Sequence, residues 1–397
     1  MIKRELYLKK IRDSYDSELI KIIIGVRRSG KSVLMLQMID ELREKGINKD
    51  HIIYINFEDY DYIDYTEPKK FHNYIKDKIK DNDKYYLFFD EIQYVEDFEK
   101  VINSFRATLN VSIFITGSNS KVLSSDLSTH LAGRYIKIKI MPFTFSEYIE
   151  LINNKDSNID DLFLDYINWG GMPQIYNTSS IQERKMYLRD LYNTVILKDI
   201  VERNSIKDIN ILNRIIQFMM ENIGGVISAN SITNFLKNEK INTSVDTVLN
   251  YIDYINNSMI ANKVSRYNIR GKSVMSLLEK YYLVDLGLLQ LKGTSYEKKV
   301  GGRLENIVYN ELIARGYDVY IGKTQNGEID FVVDNFGKIS YIQVADYLSN
   351  DDVIEREFGA YKSISDNYPK YVITMDKIDY SRDGIIHRNI IDWLLDK

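Results

Sequence analysis

The chain has 397 residues, no cysteine, a formal net charge of −4 and an apolar content of 44%. That length predicts two or three domains, and the absence of cysteine excludes disulfides, thiolate metal sites and a cysteine nucleophile. The slight negative charge leaves any nucleic-acid binding to a local patch.

In chain order, the start MIKRELYLKKIRD is charged and lacks the apolar run of a signal peptide. No later stretch approaches the roughly 18 apolar residues that span a bilayer. A cytoplasmic protein without membrane contact is therefore expected. Strands are then expected at 20–25, 52–57, 85–90, 112–116 and 134–140, with helices at 32–45, 69–80, 96–109 and 119–127. This alternation predicts an α/β fold, a parallel sheet with helices on both faces and its ligand at the C-terminal strand ends.

Between the first strand and helix stands Gly25-Val26-Arg27-Arg28-Ser29-Gly30-Lys31-Ser32, which fits G-x-x-x-x-G-K-[ST] at every fixed position. Gly25 and Gly30 permit the turn and let backbone N–H groups close around phosphate oxygens. The helix that follows aims its positive end at the same phosphates. Lys31 is expected to reach the β and γ phosphates of ATP, and the Ser32 hydroxyl to sit on Mg²⁺. The residues expected around the nucleotide are Gly25, Arg27, Arg28, Ser29, Gly30, Lys31, Ser32 and Val33.

The strand YYLFFDEIQ ends in Asp90-Glu91. An acid pair at that end of a buried strand suits a Mg²⁺ site, with Asp90 holding the metal through water and Glu91 polarising the attacking water. Past the strand VSIFITGSNS lie Thr116, Ser118 and Asn119, of which Asn119 is the first choice for orienting that water, with a plain polar turn as the alternative. Glu58 and Asp59 end another strand, where a strand cap is the simpler role and a nucleotide-side role the alternative. The acidic and aromatic run 59–67 is expected to be a loop. Arg134 opens the fifth strand, where it either touches a γ-phosphate across a subunit or domain boundary or forms a structural salt bridge.

From about residue 161 the pattern turns helical. Gly170-Gly171-Met172-Pro173 breaks a helix, and a long helix is expected at 181–201. Helices follow at 209–221, 228–236 and 244–257, with Ser228 and Ser244 as N-caps. A short-stranded stretch then reaches about residue 289. Helix, short helix, helix and hairpin is the order of a winged helix. KVSRYNIRGKS would be its wing, with Lys263, Arg266, Arg270 and Lys272 as the DNA contacts; a lid that touches only protein is the alternative. The last part opens with an amphipathic helix from residue 301. Strands follow at 318–321, 329–333 and 340–344, then a helix at 351–365 and the strand KYVITMD.

Taken together, GVRRSGKS, LFFDEIQ, FITGSNS, LAGRYIKIKIMPFTFSEY, GGMPQIY, LYNTVILKDIVER and GRLENIVYNELIARGYDV resemble the bacterial and archaeal AAA-superfamily ATPases that carry a C-terminal domain of unknown function. The resemblance covers nearly the whole chain. It implies a P-loop domain at 1–160, a helical and winged-helix region at 161–295, and a domain with a fold like the PD-(D/E)XK nucleases at 296–397. Such nuclease sites need an acid, then an acid and a lysine two residues apart on the next strand. Asp330 would be the first acid and Glu305 a helper on the preceding helix, but Gln343 and Ala345 replace the second acid and the lysine; Lys323 and Lys338 are the nearby candidates to restore it.

The leading expectation is a Mg²⁺-dependent ATPase switch acting through the winged helix and the C-terminal module, on DNA or a protein partner. An ATP-regulated DNA nuclease, which Ala345 argues against, is the runner-up. A nucleotide-dependent binding protein with negligible turnover, which Glu91 argues against, is the third. No motif fixes the oligomeric state.

Overall fold

The computed structural model describes residues 2–117, 131, 133–153, 157–292, 300–325 and 327–396. It contains two compact units, Met1–Ile140 and Met141–Lys397.

The first unit begins with α1 (Glu5–Arg12), an element the sequence pattern did not announce. It buries Tyr7, Leu8 and Ile11, which the 3.6-residue repeat brings to one side. Next come β1 (Ile20–Ile24), α2 (Lys31–Glu44), β2 (Ile52–Asn56), α3 (Pro68–Lys78), β3 (Tyr85–Asp90), α4 (Phe98–Thr108), β4 (Val111–Gly117) and β5 (Tyr135–Lys139). Among the described residues the strands form one parallel sheet in the order β2-β3-β4-β1-β5. Every residue of the three central strands is buried, which explains their mostly apolar sequences. The expected helix at 119–127 lies outside the described residues. The run expected as a loop contains a 3₁₀ helix, Tyr60–Thr66, entered through the Asp59 carboxylate, which accepts the Asp61 N–H at 3.1 Å.

The second unit opens with α5 (Phe145–Ile152), capped reciprocally by Thr144 and Glu147, and α6 (Ile159–Trp169). α7 (Ile181–Thr194) runs into a π-helical segment, Val195–Glu202, where one continuous α-helix was expected. α8 (Ile209–Glu221), β6 (Val226–Ile227), α9 (Ala229–Asn238), α10 (Val245–Asn257), β7 (Ala261–Asn268) and β8 (Ser273–Leu283) follow. The Ser228 and Ser244 side chains accept the Ser231 and Thr247 N–H groups, as N-caps do. The chain ends with α11 (Val300–Arg315), β9 (Asp318–Lys323), β10 (Glu328–Asn335), β11 (Lys338–Val344), α12 (Asp351–Gly359), β12 (Lys370–Thr374), β13 (Ile385–Asn389) and α13 (Ile390–Leu394).

Among the described residues these strands make one mixed sheet in the order β13-β12-β11-β10-β9-β7-β8-β6. β7 pairs in parallel with β9, so the hairpin that follows the helices belongs to the same sheet as the C-terminal strands.

The Gly-Gly-Met-Pro turn is built around a buried carboxylate. Asp285 accepts the Gly171 N–H at 2.7 Å and the Gly287 N–H at 2.8 Å. A Cβ at Gly170 would overlap the Asp285 carboxylate, and one at Gly171 would overlap the Phe143 carbonyl. Burial pushes the Asp285 carboxyl up to about 6, against the pull of those N–H donors. The motif is a packing knot, which accounts for its residue types without any ligand.

Candidate nucleotide site

The loop between β1 and α2 leaves the C-terminal end of the central strand, where a parallel sheet places its ligands. α2 begins at Lys31, and its N-cap Gly30 has φ 97°, a conformation closed to most side chains. Arg28 at the crest also lies in the left-handed region, with φ 62°. Gly25 is required by space, since a Cβ there would stand 2.6 Å from the Ile140 carbonyl oxygen and 2.8 Å from Ser29 Oγ. The Ser29 hydroxyl is buried and turned toward Gly25, so Ser29 offers a ligand only its backbone.

Lys31 is 4% exposed. Its Nζ donates to the carbonyls of Gly25 at 3.2 Å and Val26 at 3.4 Å, and stands 3.5 Å from Glu91 Oε1. The loop lysine and the second strand-end acid therefore meet, although β4 lies between their strands. Thr116 on β4 bridges the gap. Its hydroxyl donates to Asp90 Oδ1 and accepts the Glu91 N–H at 2.9 Å. The Tyr54 hydroxyl donates to Asp90 Oδ2 at 3.1 Å, fixing the carboxylate from the other side. Glu91 has φ 52°, and its Oε2 accepts the Gln93 amide. The two acids thus face different partners, Asp90 two hydroxyls and Glu91 an ammonium and an amide. Hard carboxylate and hydroxyl oxygens of Asp90 and Ser32 are the donor set that suits Mg²⁺.

The remaining expected residues divide. Arg27 pairs with Glu58, NH1 to Oε1 at 3.5 Å, and Tyr94 donates to the same Glu58 oxygen at 3.4 Å, so Glu58 lies beside the loop. Val33 sits in the first turn of α2. Asn119 lies outside the described residues. Arg134 is not brought to the loop. Its carbonyl accepts the Ile20 N–H at the opposite end of β1, and its guanidinium donates to the neutral side chain of Asn103 at 3.1 Å. Thr116 was named beside Asn119 for a role with the water, and its hydroxyl instead organises both acids. Tyr54 was missed; it faces Asp90 only through the pairing of β2 with β3.

Of the four expected wing cations, Lys263 pairs with Glu279 at 3.3 Å and Arg266 with Glu328 at 2.5 Å. Arg266 is turned inward and Tyr267 packs on Tyr320, because β7 joins the C-terminal sheet. Arg270 and Lys272 stay exposed at the hairpin tip.

A second cluster occupies the C-terminal strands. Lys280 on β8 is 4% exposed, and its Nζ lies 2.7 Å from Glu328, 3.4 Å from Glu305 and 3.5 Å from Asp330. Asp330 also accepts the Val344 N–H at 2.9 Å, and the Gln343 side-chain oxygen accepts the Asp330 N–H at 3.2 Å. Burial, then the nearby Asp330 charge, pushes the Glu305 carboxyl up to about 8. The lysine that reaches these acids is therefore neither Lys323 nor Lys338, both exposed, but one from the preceding hairpin. Among the described residues, only His51, Asp81 and Asp83 bring three metal-ligand atoms within 4.8 Å of one another. No helix of the described residues is long and apolar enough to cross a membrane.

Residues 17–149 match a family model described as an AAA domain, and residues 160–297 match a domain of unknown function, DUF8612. A Walker-type ATPase of Pyrococcus abyssi shares the fold with a TM-score of 0.50 at 14% identity, over 73% of this chain and 95% of that one. An uncharacterized protein of Methanocaldococcus jannaschii, MJ1544, is 29% identical over 97% of this chain and 86% of its own length. An uncharacterized protein of Haemophilus influenzae is 37% identical over 100% of this chain and 99% of its own length. The chain belongs to the family of that Haemophilus influenzae protein, and the family member described here carries an AAA-type P-loop ATPase domain.

Proposed function

We propose that this protein is a Mg²⁺-dependent ATPase whose nucleotide state acts on the helical and C-terminal modules, with DNA as the partner contacted through the hairpin. The observation that carries the ATPase is the approach of Lys31 Nζ to Glu91 Oε1 at 3.5 Å, beside an Asp90 held by two hydroxyls. Backbone N–H groups of the loop and the start of α2 bind the phosphates, and Lys31 neutralises the charge on the β and γ groups. Ser32 and Asp90 would hold Mg²⁺, which when bound withdraws charge from the phosphate oxygens. Glu91 takes the proton of the attacking water. Thr116 holds the Asp90 carboxylate and the Glu91 backbone N–H, which supports one carboxylate on the metal side and the other on the water side.

The winged-helix proposal is supported by the order α8, β6, α9, α10, β7, β8, with β6 antiparallel to β8. DNA contact then rests on Arg270 and Lys272, with Lys263 at the edge. A nuclease is not favoured, since Ala345 stands where the lysine is needed and the acids are already engaged by Lys280. The test of the nucleotide site is Lys31→Ala. It should lose ATP binding and magnesium-dependent phosphate release together, and unchanged activity in that variant would remove the proposal.

A further inference from the structure

Ser29 and Gly30 share the peptide group at the crest of the phosphate loop. Arg4 reaches that peptide from behind, its NH1 donating to the Ser29 carbonyl oxygen at 3.0 Å. The peptide is trans, as are all the described peptide bonds. In a planar trans peptide the C=O and N–H point in opposite directions. Anchoring the Ser29 carbonyl on Arg4 therefore aims the Gly30 N–H away from Arg4. The Arg4 side of the loop is filled, because the guanidinium lies 4.8 Å over the Tyr7 ring and the residue is 1% exposed. The other side is left for a phosphate.

We propose that Arg4 is a positioning residue for phosphate binding, setting the crest peptide so that the Gly30 N–H meets the nucleotide. The inference rests on the ATPase proposal and names a residue far from the motif in sequence. Three features support it. The crest needs outside support, since Arg28 at φ 62° sits in the left-handed region that L-residues disfavour.

Arg4 itself is held. Its backbone N–H donates to Gln37 Oε1 at 2.9 Å while Gln37 Nε2 donates to the Ile2 carbonyl at 2.6 Å, a two-way clasp to α2. Glu41, also on α2, accepts Arg12 and the Tyr15 hydroxyl and pairs with Lys3 at 2.9 Å, locking the segment on both sides of Arg4. Finally, a buried guanidinium on the carbonyl polarises the peptide and makes its N–H a stronger donor toward an anion. Its positive charge also adds to that of the α2 N-terminus.

The experiment uses the full chain and the variants Arg4→Met, which keeps reach without charge, and Arg4→Lys, which keeps charge without the fork. ADP binding is measured by calorimetry, and magnesium-dependent ATP turnover by phosphate release. Arg4→Met should weaken ADP binding and raise KM about tenfold, the size of one lost charge-assisted hydrogen bond, with kcat within about twofold. Arg4→Lys should recover most of that loss. If Arg4→Met does not fold, Gln37→Leu undoes the clasp with the guanidinium intact and should weaken ADP about threefold by the same logic. A folded Arg4→Met or Gln37→Leu that binds ADP like the parent overturns the inference. So does an equal fall of kcat and affinity in the Met and Lys variants alike, which would mark general damage. A parent protein that neither binds ADP nor releases phosphate would overturn the ATPase proposal instead.

Discussion

Replacing Lys280 by Met removes the one ammonium from a cluster of three carboxylates while keeping most of the side-chain volume. The cavity contribution is then small and the change is mainly one of charge. The three carboxylates are not equally exposed to the loss. Glu328 keeps Arg266 at 2.5 Å and Asp330 keeps the Val344 N–H at 2.9 Å. Glu305 keeps the Tyr282 hydroxyl at 3.0 Å and carries a proton below about pH 8, so the loss falls on it only where it ionises. Breaking a buried ion pair by deleting one partner costs about 3–5 kcal/mol, against less than about 1 for an exposed pair. With an urea slope of about 3 kcal/mol/M, the midpoint should fall by roughly 1–1.7 M.

Both tryptophans, Trp169 and Trp393, lie in the second unit, so fluorescence follows that unit alone. The pH dependence carries a sign. Between the ordinary carboxylate value of 4.5 and about 8 the folded protein holds a proton on Glu305 that the unfolded chain has released. Stability of the unit therefore declines as pH rises through that window, by at most about 1.4 kcal/mol per pH unit for this one group. Removing Lys280 raises the Glu305 carboxyl further and extends the decline to higher pH. A midpoint shift equivalent to less than about 1 kcal/mol, with an unchanged pH profile, would refute the claim that the ammonium is a buried counterion.

Three further outcomes are expected. Thr116→Val keeps shape but strands the Glu91 N–H and frees the Asp90 carboxylate; it should cost about 1–3 kcal/mol of stability by chemical denaturation and reduce phosphate release more than ADP affinity. Gly171→Ala drives a methyl into the Phe143 carbonyl and should destabilise the second unit by about 3 kcal/mol or more, read by the same fluorescence; a neutral result would dissolve the packing account of the Gly-Gly turn. Arg270→Ala with Lys272→Ala should weaken DNA binding and flatten its salt slope by up to about two counterions, whereas Arg266→Ala should act on stability instead, and a DNA titration with unaltered slope would place the contact elsewhere.

The phosphate loop and the strands around it were legible because each rests on a local rule. Ile20–Ile24, Tyr85–Asp90 and Val111–Gly117 are mostly apolar and wholly buried, and the glycines at 25 and 30 answer to space and to backbone angle. The order of those strands was not legible, and with it went the role of Thr116, which depends on β4 lying between β1 and β3. Arg4 escaped notice for the same reason: its partner is 25 residues away, and α1 has no side-chain N-cap to announce it. The spacing of Tyr7, Leu8 and Ile11 was the available signal. In the second half, Gln343 and Ala345 spoke for an incomplete site, but nothing in the local pattern around Lys280 foretold that β8 would deliver it to Asp330 across a shared sheet. Alternation along the hairpin did not reveal that β7 pairs with β9 and carries Arg266 to Glu328.

The central claim is that Glu91 acts on the water while Lys31 and the loop hold the nucleotide. Glu91→Gln keeps the size of the side chain and removes the charge and basicity needed to take a proton from water. The decisive measurement is ATP affinity and magnesium-dependent phosphate release in that variant, side by side. Affinity within about threefold of the parent, with release reduced about a hundredfold or more, is the predicted result. Equal loss of both, or release at the parental rate, would contradict the account.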